Sequence, residues 1–461
     1  MSATTSPPTP SAPSDARAPM RASGPFINRN FGLLWAGQSI SFIGDALLDF
    51  TFALWIAFDL GRGQSWAPLA VSGVLATSSV GTLVIGPISG VFVDRWDKRR
   101  TILAVILLQA LLTAALLLFA GLAPLPLPFF PGGYPPLEMQ LIALYVVIFL
   151  VYGLAQFARS ARTALIGDIV PEPNQPQASG LIETMTALSL MIGFGVAPLL
   201  FVPFGIGVAL LADALSFVVA YVAILAVHAP PAARSVQQGE RGNVRREFRD
   251  GLRFAFGNLV TRTLLIVYVI VLFGAGAINA LFVFFVAQDL HASQAAIGAF
   301  PVVLGVGLVV GSLLGGVLAK RVGLTRIFWV SIVLAGIAAI ALSRQSSLIP
   351  GLVCAFLIGV PNGAMNVALM PLVLHVTPKE MVGRVMNVIE PAMTVAQVAS
   401  IAIFGTLAST VFSAFHIGVL GQVFDTYSAL ILIAGIFCLV GGAIAFANLR
   451  HVHLGQIAAQ A

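Results

Sequence analysis

An all-α membrane protein with twelve transmembrane helices in two pseudo-symmetric six-helix bundles is the architecture this sequence predicts, on three observations. Of its 461 residues 58% are apolar and 9% charged, with a mean hydropathy of +0.98; a soluble domain runs about 45–50% apolar and about 25% charged. Twelve apolar runs are long enough to supply the roughly 20 residues that a helix needs to cross a hydrocarbon core. Finally, segments of the first half recur in the same order in the second.

The runs fall at residues 31–58, 67–93, 101–121, 138–158, 178–200 and 203–227, then 263–288, 294–319, 325–343, 348–374, 383–414 and 418–448. Each must be helical, because in lipid every backbone amide has to find its partner inside its own segment. An even number of spans puts both termini on one face. Of 24 Lys and Arg, only Arg62 and Arg344 fall on connections to the other face. The remaining 22 mark the side of the termini, which the positive-inside rule makes cytoplasmic. The pI of about 9.7 therefore reports topology, and nucleic acid is not an expected partner.

The chain divides into a disordered cytoplasmic tail (1–27), a first six-helix bundle (28–227), a cytoplasmic linker (228–262), a second bundle (263–449) and a second tail (450–461). The first tail is rich in Pro, Ser and Ala and lacks the apolar run of a signal peptide. Within the linker, VRREFRDGLRFAF (Val244–Phe256) repeats Val244, Phe248 and Leu252 every four residues among arginines. That pattern reads as a short amphipathic helix on the anionic inner leaflet.

The repeat is carried by two pairs of segments and by the match of Pro171 to Pro378 that lies between them in order. GVFVDRWDKRRTI (Gly90–Ile102) aligns with GVLAKRVGLTRIF (Gly316–Phe328), and LIE (Leu181–Glu183) with VIE (Val388–Glu390). Six-plus-six duplication is the plan of transporters whose halves rock about a central site. The first segment also places six charges within Asp94–Arg100, directly behind an apolar run.

GVFVDRWDKRR (Gly90–Arg100) resembles the Gly-x-x-x-Asp-Arg-x-x-Arg-Arg loop of the major facilitator superfamily, with Asp97 where a glycine is often found. NFGLLWAGQSIS (Asn30–Ser41), ARSARTALIGDIVPE (Ala158–Glu172), GAINALFVFF (Gly276–Phe285) and HVTPKEMVGRVMNV (His375–Val388) are similar to the bacterial exporter branch containing macrolide and siderophore (enterobactin-type) efflux permeases. The resemblance covers residues 28–450. It implies the major facilitator fold, a bacterial cytoplasmic membrane and a cytoplasmic latch between the halves made of Gly90, Asp94, Arg95, Arg99 and Arg100. Asp94 would meet the positive N-terminal end of span eleven, and the arginines would pair with acids near Glu390. Positive-inside placement alone would account for Lys98, Arg99 and Arg100, but not for Asp94 or Asp97. Glu183 and Glu390, related by the repeat, join Arg159, Arg162 and Arg384 as an inner gate; capping of helix ends is the alternative.

Charge at depth is the sharper signal, because an ionisable residue near the bilayer centre costs several kcal/mol. Asp45 lies fourteen residues beyond Phe31, about 21 Å along the helix, and Asp49 is one turn further on the same face. The sequence puts no basic residue at comparable depth. Two neighbouring carboxylates without a cation can take up and release protons or bind a cationic substrate. Alternatively they stay protonated and bond Ser39, Ser41 or Thr51. Asp213, in LLADALSF, has a counterpart in macrolide permeases and reads as structural. GFGVAP (Gly193–Pro198) weakly resembles an element of proton-coupled antiporters, with Ala197 in place of a glycine. Gln38, Gln156, Asn279, Asn362, Asn366 and Gln397 offer polar groups to a substrate cavity; methionines in spans five, ten and eleven with 32 Phe suit an apolar one, although Met at helical spacing more often serves packing.

The expected protein is a monomeric secondary active transporter. It would export amphipathic or cationic, drug-like small molecules by proton-coupled alternating access, with no cofactor or metal and the proton gradient as its energy source. A dedicated exporter of one metabolite such as a siderophore, or a receptor or scaffold on the same fold, are the alternatives. No His/Glu metal motif, Gly-x-Ser-x-Gly or phosphate loop points to an enzyme, and Cys354 and Cys438 sit inside apolar runs without metal-ligand spacing.

Overall fold

The computed structural model describes residues 27–93, 95–119, 135–228, 244–412, 417–419 and 422–450. Both expected tails, apart from residues at their inner edges, and Asp94 lie outside the described residues. The first half comprises α1 (Arg29–Trp55), α2 (Ala67–Val93), α3 (Lys98–Phe119), α4 (Leu137–Ile169) and α5 (Gln175–Leu225). After α6 (Val244–Gly257) the second half adds α7 (Leu259–Phe284), α8 (Ala299–Val322), α9 (Leu324–Leu342), α10 (Leu348–Val376), α11 (Lys379–Ser409) and α12 (Thr426–Leu449). Among the described residues, eleven helices are long and apolar enough to cross a membrane.

The twelfth crossing is contained in α5. Gly205, at φ 71 and ψ −177, breaks the helix two residues after Pro203, a backbone conformation that a residue with a Cβ resists. The 51-residue segment is thus two arms. Internal symmetry is visible in the first helix of each half, since α1 and α7 both run into a five-residue π turn, Ile56–Leu60 and Phe285–Asp289. A two-stranded antiparallel ribbon, Ile417–Val419 with Gln422–Phe424, is added in the α11–α12 connection.

Side-chain bonds define the two faces. On the one bearing most of the cations, the basic face, Asn28 donates to the Ile169 carbonyl at 2.7 Å and Asn30 to the His228 carbonyl at 2.8 Å. These tie the start of α1 to the ends of α4 and α5. On the opposite face the halves touch: the Leu69 amide donates to Ser409 Oγ at 2.9 Å, and Gly405 abuts Ser72. Phe282 stacks on Phe50 at 5.5 Å and on Phe300 at 5.9 Å, which seals this end with apolar rings. Lipid tails are as apolar as leucine, so close packing must hold the helices together. The α8–α10 contact shows it best, where a Cβ on Gly311 would stand 1.8 Å from the Val360 carbonyl oxygen.

Two expectations are corrected. Span four, read as ending at 158, continues as helix to Ile169, so Arg159 and Arg162 are helical residues inside it. The amphipathic α6 packs on protein as well as offering a lipid face. Gly251 abuts the Arg384 carbonyl and Asp250 Oδ2 lies 3.7 Å from Arg384 Nη1, while Leu252, Arg253 and Phe256 stay exposed.

Candidate functional site

The deep carboxylates of α1 meet a third one. α1 lies in the groove between the arms of α5, and the second arm brings Asp213 to Asp45 and Asp49. The three line a pocket of about 60 Å³ together with Gln109 and Thr113 of α3 and Tyr152 of α4. Tyr152 donates its hydroxyl to Asp49 Oδ2, and Thr113 donates to Asp213 Oδ2 at 3.3 Å. Leu48, Phe52, Leu116 and Ile148 wall the rest. Ser39 and Thr51 donate instead to the carbonyls of Trp35 and Leu47, at 2.8 and 2.7 Å, so those two hydroxyls serve their own helix rather than the acids.

Asp45 and Asp49 also form the inner end of a larger cavity, about 540 Å³, that runs past Gln38, Phe42, Gln156 and Arg162 to Arg159, Ser179 and Glu183 at the basic face. All of its lining residues belong to the first half. Arg162 Nη1 donates to Gln38 Oε1 at 2.8 Å, and its guanidinium lies 4.8 Å from the centre of the Phe42 ring. The expectation of carboxylates without a cation is thus corrected: Arg162 lines the same cavity as Asp45 and Asp49. Gln156 donates to Thr82 Oγ1 at 3.3 Å.

The other predicted cavity residues are dispersed. Asn279 lies on the wall of a separate, mostly apolar cavity of about 220 Å³ with Met191, Phe194, Phe282 and Phe300. Asn366 accepts from the Tyr268 hydroxyl at 3.1 Å, which joins α10 to α7. Asn362 and Gln397 are half-buried on α10 and α11 and line neither cavity.

Of the predicted latch, Arg99 is held inside its own bundle, as is the neighbouring Lys98. Lys98 pairs with Asp168 at 2.5 Å, and Arg99 donates to the carbonyls of Ile224 and Leu225 at 3.2 and 2.5 Å. There it caps the end of α5 rather than reaching acids near Glu390. Asp97 accepts from the Arg100 amide at 2.7 Å, an N-cap for α3, and Trp96 stacks on Phe157 at 5.9 Å. Arg95 and Arg100 are exposed, and Gly90 is half-buried at the end of α2. Glu183 reaches the cavity mouth beside Arg159 and Arg162. Arg384, by contrast, faces Asp250 of α6, and Glu390 is exposed.

Sequence reasoning missed Tyr152, Thr113 and Gln109, and left Asp213 out of the site. Only Asp213 carried a usable signal, as an acid in the middle of an apolar span of a chain with 9% charge.

Comparison with known proteins extends the picture. A family model described as Major Facilitator Superfamily matches residues 34–284 and 264–460. The chain is 25% identical over 387 residues to the uncharacterized MFS-type transporter YkuC of Bacillus subtilis (strain 168), across 81% of this chain and 84% of that protein. It is 25% identical over 331 residues to macrolide efflux protein A of Streptococcus pyogenes, across 71% and 77%. Among solved structures, a bacterial homologue of the iron transporter ferroportin in its inward-facing state superposes with a TM-score of 0.67 at 16% identity, over 91% of this chain and 98% of that one. Because the family match runs through both halves of the repeat, the chain belongs to the Major Facilitator Superfamily of multi-pass membrane transporters.

Proposed function

We propose that this transporter exports amphipathic or cationic small molecules across the cytoplasmic membrane in exchange for protons. The observation that carries the reading is the position of Asp45 and Asp49, in the wall of a cavity that opens at the basic face. By the positive-inside rule that face is cytoplasmic, so substrate would load from the cytoplasm. An arriving cation and a proton compete for the same two carboxylates, and each stabilises a different charge state of the site. Substrate release and reprotonation then require the opposite face to open, which means parting the Phe50–Phe282–Phe300 stack. The energy comes from the proton gradient, without a bound cofactor, and one chain supplies the whole cavity. Likeness to macrolide efflux protein A favours export over uptake.

The test is reconstitution in liposomes holding a pH-sensitive dye under an imposed proton gradient, with cationic dyes, macrolides and a siderophore added in turn. Proton movement that depends on a cationic dye or macrolide, and is lost in Asp45→Asn and Asp49→Asn, is the expected result. Transport that survives both substitutions with its proton coupling intact would refute the assignment of the coupling site. Flux with the siderophore alone would replace the broad substrate range with a dedicated one.

A further inference from the structure

The pocket behind the cavity holds a carboxylate with an unanswered oxygen. Asp213 is 1% exposed. Its Oδ2 accepts from Thr113, and Ser216 donates its hydroxyl to the Asp213 main-chain carbonyl at 2.7 Å. Oδ1 has no hydrogen-bond partner among the described residues and stands 2.8 Å from where a Cβ on Gly44 would be, on the side of α1. Buried polar atoms are rarely left this way, and an ionised carboxylate with an orphaned oxygen is costly away from water. A protonated carboxyl at this position carries no charge to solvate.

The walls of the two chambers set the route to it. Asp45, Asp49, Gln109 and Tyr152 line both the pocket and the cavity, whereas Asp213 and Thr113 line only the pocket. A substrate in the cavity touches the α1 acids and cannot reach Asp213. A proton reaches it through Asp45 or Asp49. The groups facing Asp213 are Asp45 and Asp49 from α1, Tyr152 from α4 and the neutral Thr113 and Gln109 from α3, with Arg162 further towards the opening.

Resting on the reading of the α1 acids as the coupling site, we infer that Asp213 is a second proton-binding residue, loaded from Asp45 or Asp49 and closed off from the substrate. In the loading step the O–H bond of a protonated Asp45 or Asp49 breaks, and an O–H bond forms on a carboxylate oxygen of Asp213. The donor is left as a carboxylate, ready to take up a further proton, and the total charge of the pocket is unchanged by the transfer. The duties divide: the α1 acids alternate between proton and cation, while Asp213, out of reach of the substrate, takes up a proton when the opposite face is open and returns it through the same acids when the cavity is open at the basic face.

The proton-to-ethidium ratio, read from the reversal potential in proteoliposomes, tests this. Wild-type protein is measured first; if it moves no protons with ethidium, the coupling reading fails and this inference falls with it. With coupled flux in wild type, Asp213→Asn is expected to lose one proton per ethidium while still binding the dye, and Asp213→Glu to restore the ratio. An unchanged ratio in a transporting Asp213→Asn protein overturns the inference. So does a ratio that falls in Asp213→Asn and Asp213→Glu alike, the mark of a purely structural role. Driving by sodium in place of protons, abolished in Asp213→Asn, would reassign the pocket to a metal cation and also overturn it. Should Asp213→Asn fail to fold, Thr113→Val keeps the acid and removes its donor. It is expected to move the pH at which the ratio changes, and an unmoved pH profile counts against the inference.

Discussion

Replacing Gly44 with alanine tests the packing that builds the acid pocket. Three close approaches hold α1 between the arms of α5: Gly37 on Ala223, Gly193 on Ala46 and Gly44 on Ser216. A Cβ on Gly44 would stand 2.3 Å from Ser216 Oγ and 2.8 Å from both Ser216 Cβ and Asp213 Oδ1. Optimal contact between carbon atoms is about 3.5–4 Å. Neither neighbour is the loose end of a flexible chain, since Ser216 is bonded to the Asp213 carbonyl and Asp213 to Thr113. Overpacking of this kind costs about 1–3 kcal/mol, offset by the roughly 0.5–1 kcal/mol that alanine gains over glycine in a helix. The net expectation is a loss of about 1 kcal/mol and at most about 2.5 kcal/mol. Gly207, on the same arm, has nothing within 4 Å of its ideal Cβ, so Gly207→Ala should be neutral or stabilising by up to about 1 kcal/mol. Thermal unfolding of both variants in detergent gives the comparison. Gly44→Ala as stable as wild type, or Gly207→Ala destabilised to the same extent, would refute the close approach that brings Asp213 to the α1 acids.

Asp97→Ala removes the N-cap of α3 and should cost about 0.5–2 kcal/mol by denaturant titration; a transport defect at unchanged stability would instead mean that this residue acts in gating. Phe282 is the middle ring of the apolar seal, and truncating a buried Phe costs about 3–5 kcal/mol. Because Phe282 is only half-buried, Phe282→Ala should fall at or below the low end of that range. It should also speed labelling of an Ala46→Cys variant, whose site lines the cavity behind the stack, by an impermeant maleimide added from the sealed side; an unchanged labelling rate would mean that the stack is not the seal. Arg162→Lys keeps the charge but loses the planar fork that bonds Gln38 and covers Phe42. With hydrogen bonds to charged groups contributing about 1.5–3 kcal/mol, loss of the Gln38 bond should lower stability by up to that amount on thermal unfolding, and a stability equal to wild type would mean that this bond does not hold α4 to α1.

The twelve crossings were legible because lipid imposes a length and a composition that any spanning helix must satisfy. The turn between spans five and six was legible too, since Pro203 and Gly205 interrupt the run where the backbone reverses. The end of span four was misread for a physical reason. Arg159 and Arg162 look like loop cations in sequence, yet a long side chain can stay in a helix if a neighbour receives it, and Gln38 and Phe42 of α1 do so for Arg162. Asp45 and Asp49 could be found from spacing along one helix. Asp213 could not be joined to them in the same way, because that contact depends on the path of α5 back across α1, which local periodicity does not encode. The latch shows the converse limit. Its residues were recognisable as a motif, but the partners of Lys98, Arg99 and Asp97 are set by the nearest helix ends, and a motif does not name those.

The central claim is that proton and substrate share the α1 carboxylates, and proton release on binding tests it most directly. Purified protein in weakly buffered detergent, with a pH indicator, is titrated with a cationic substrate such as ethidium. The account predicts that bound cation displaces protons into solution in wild type, and that this release is lost in the Asp45→Asn, Asp49→Asn double variant. Tight binding by wild type with no release of protons would contradict it.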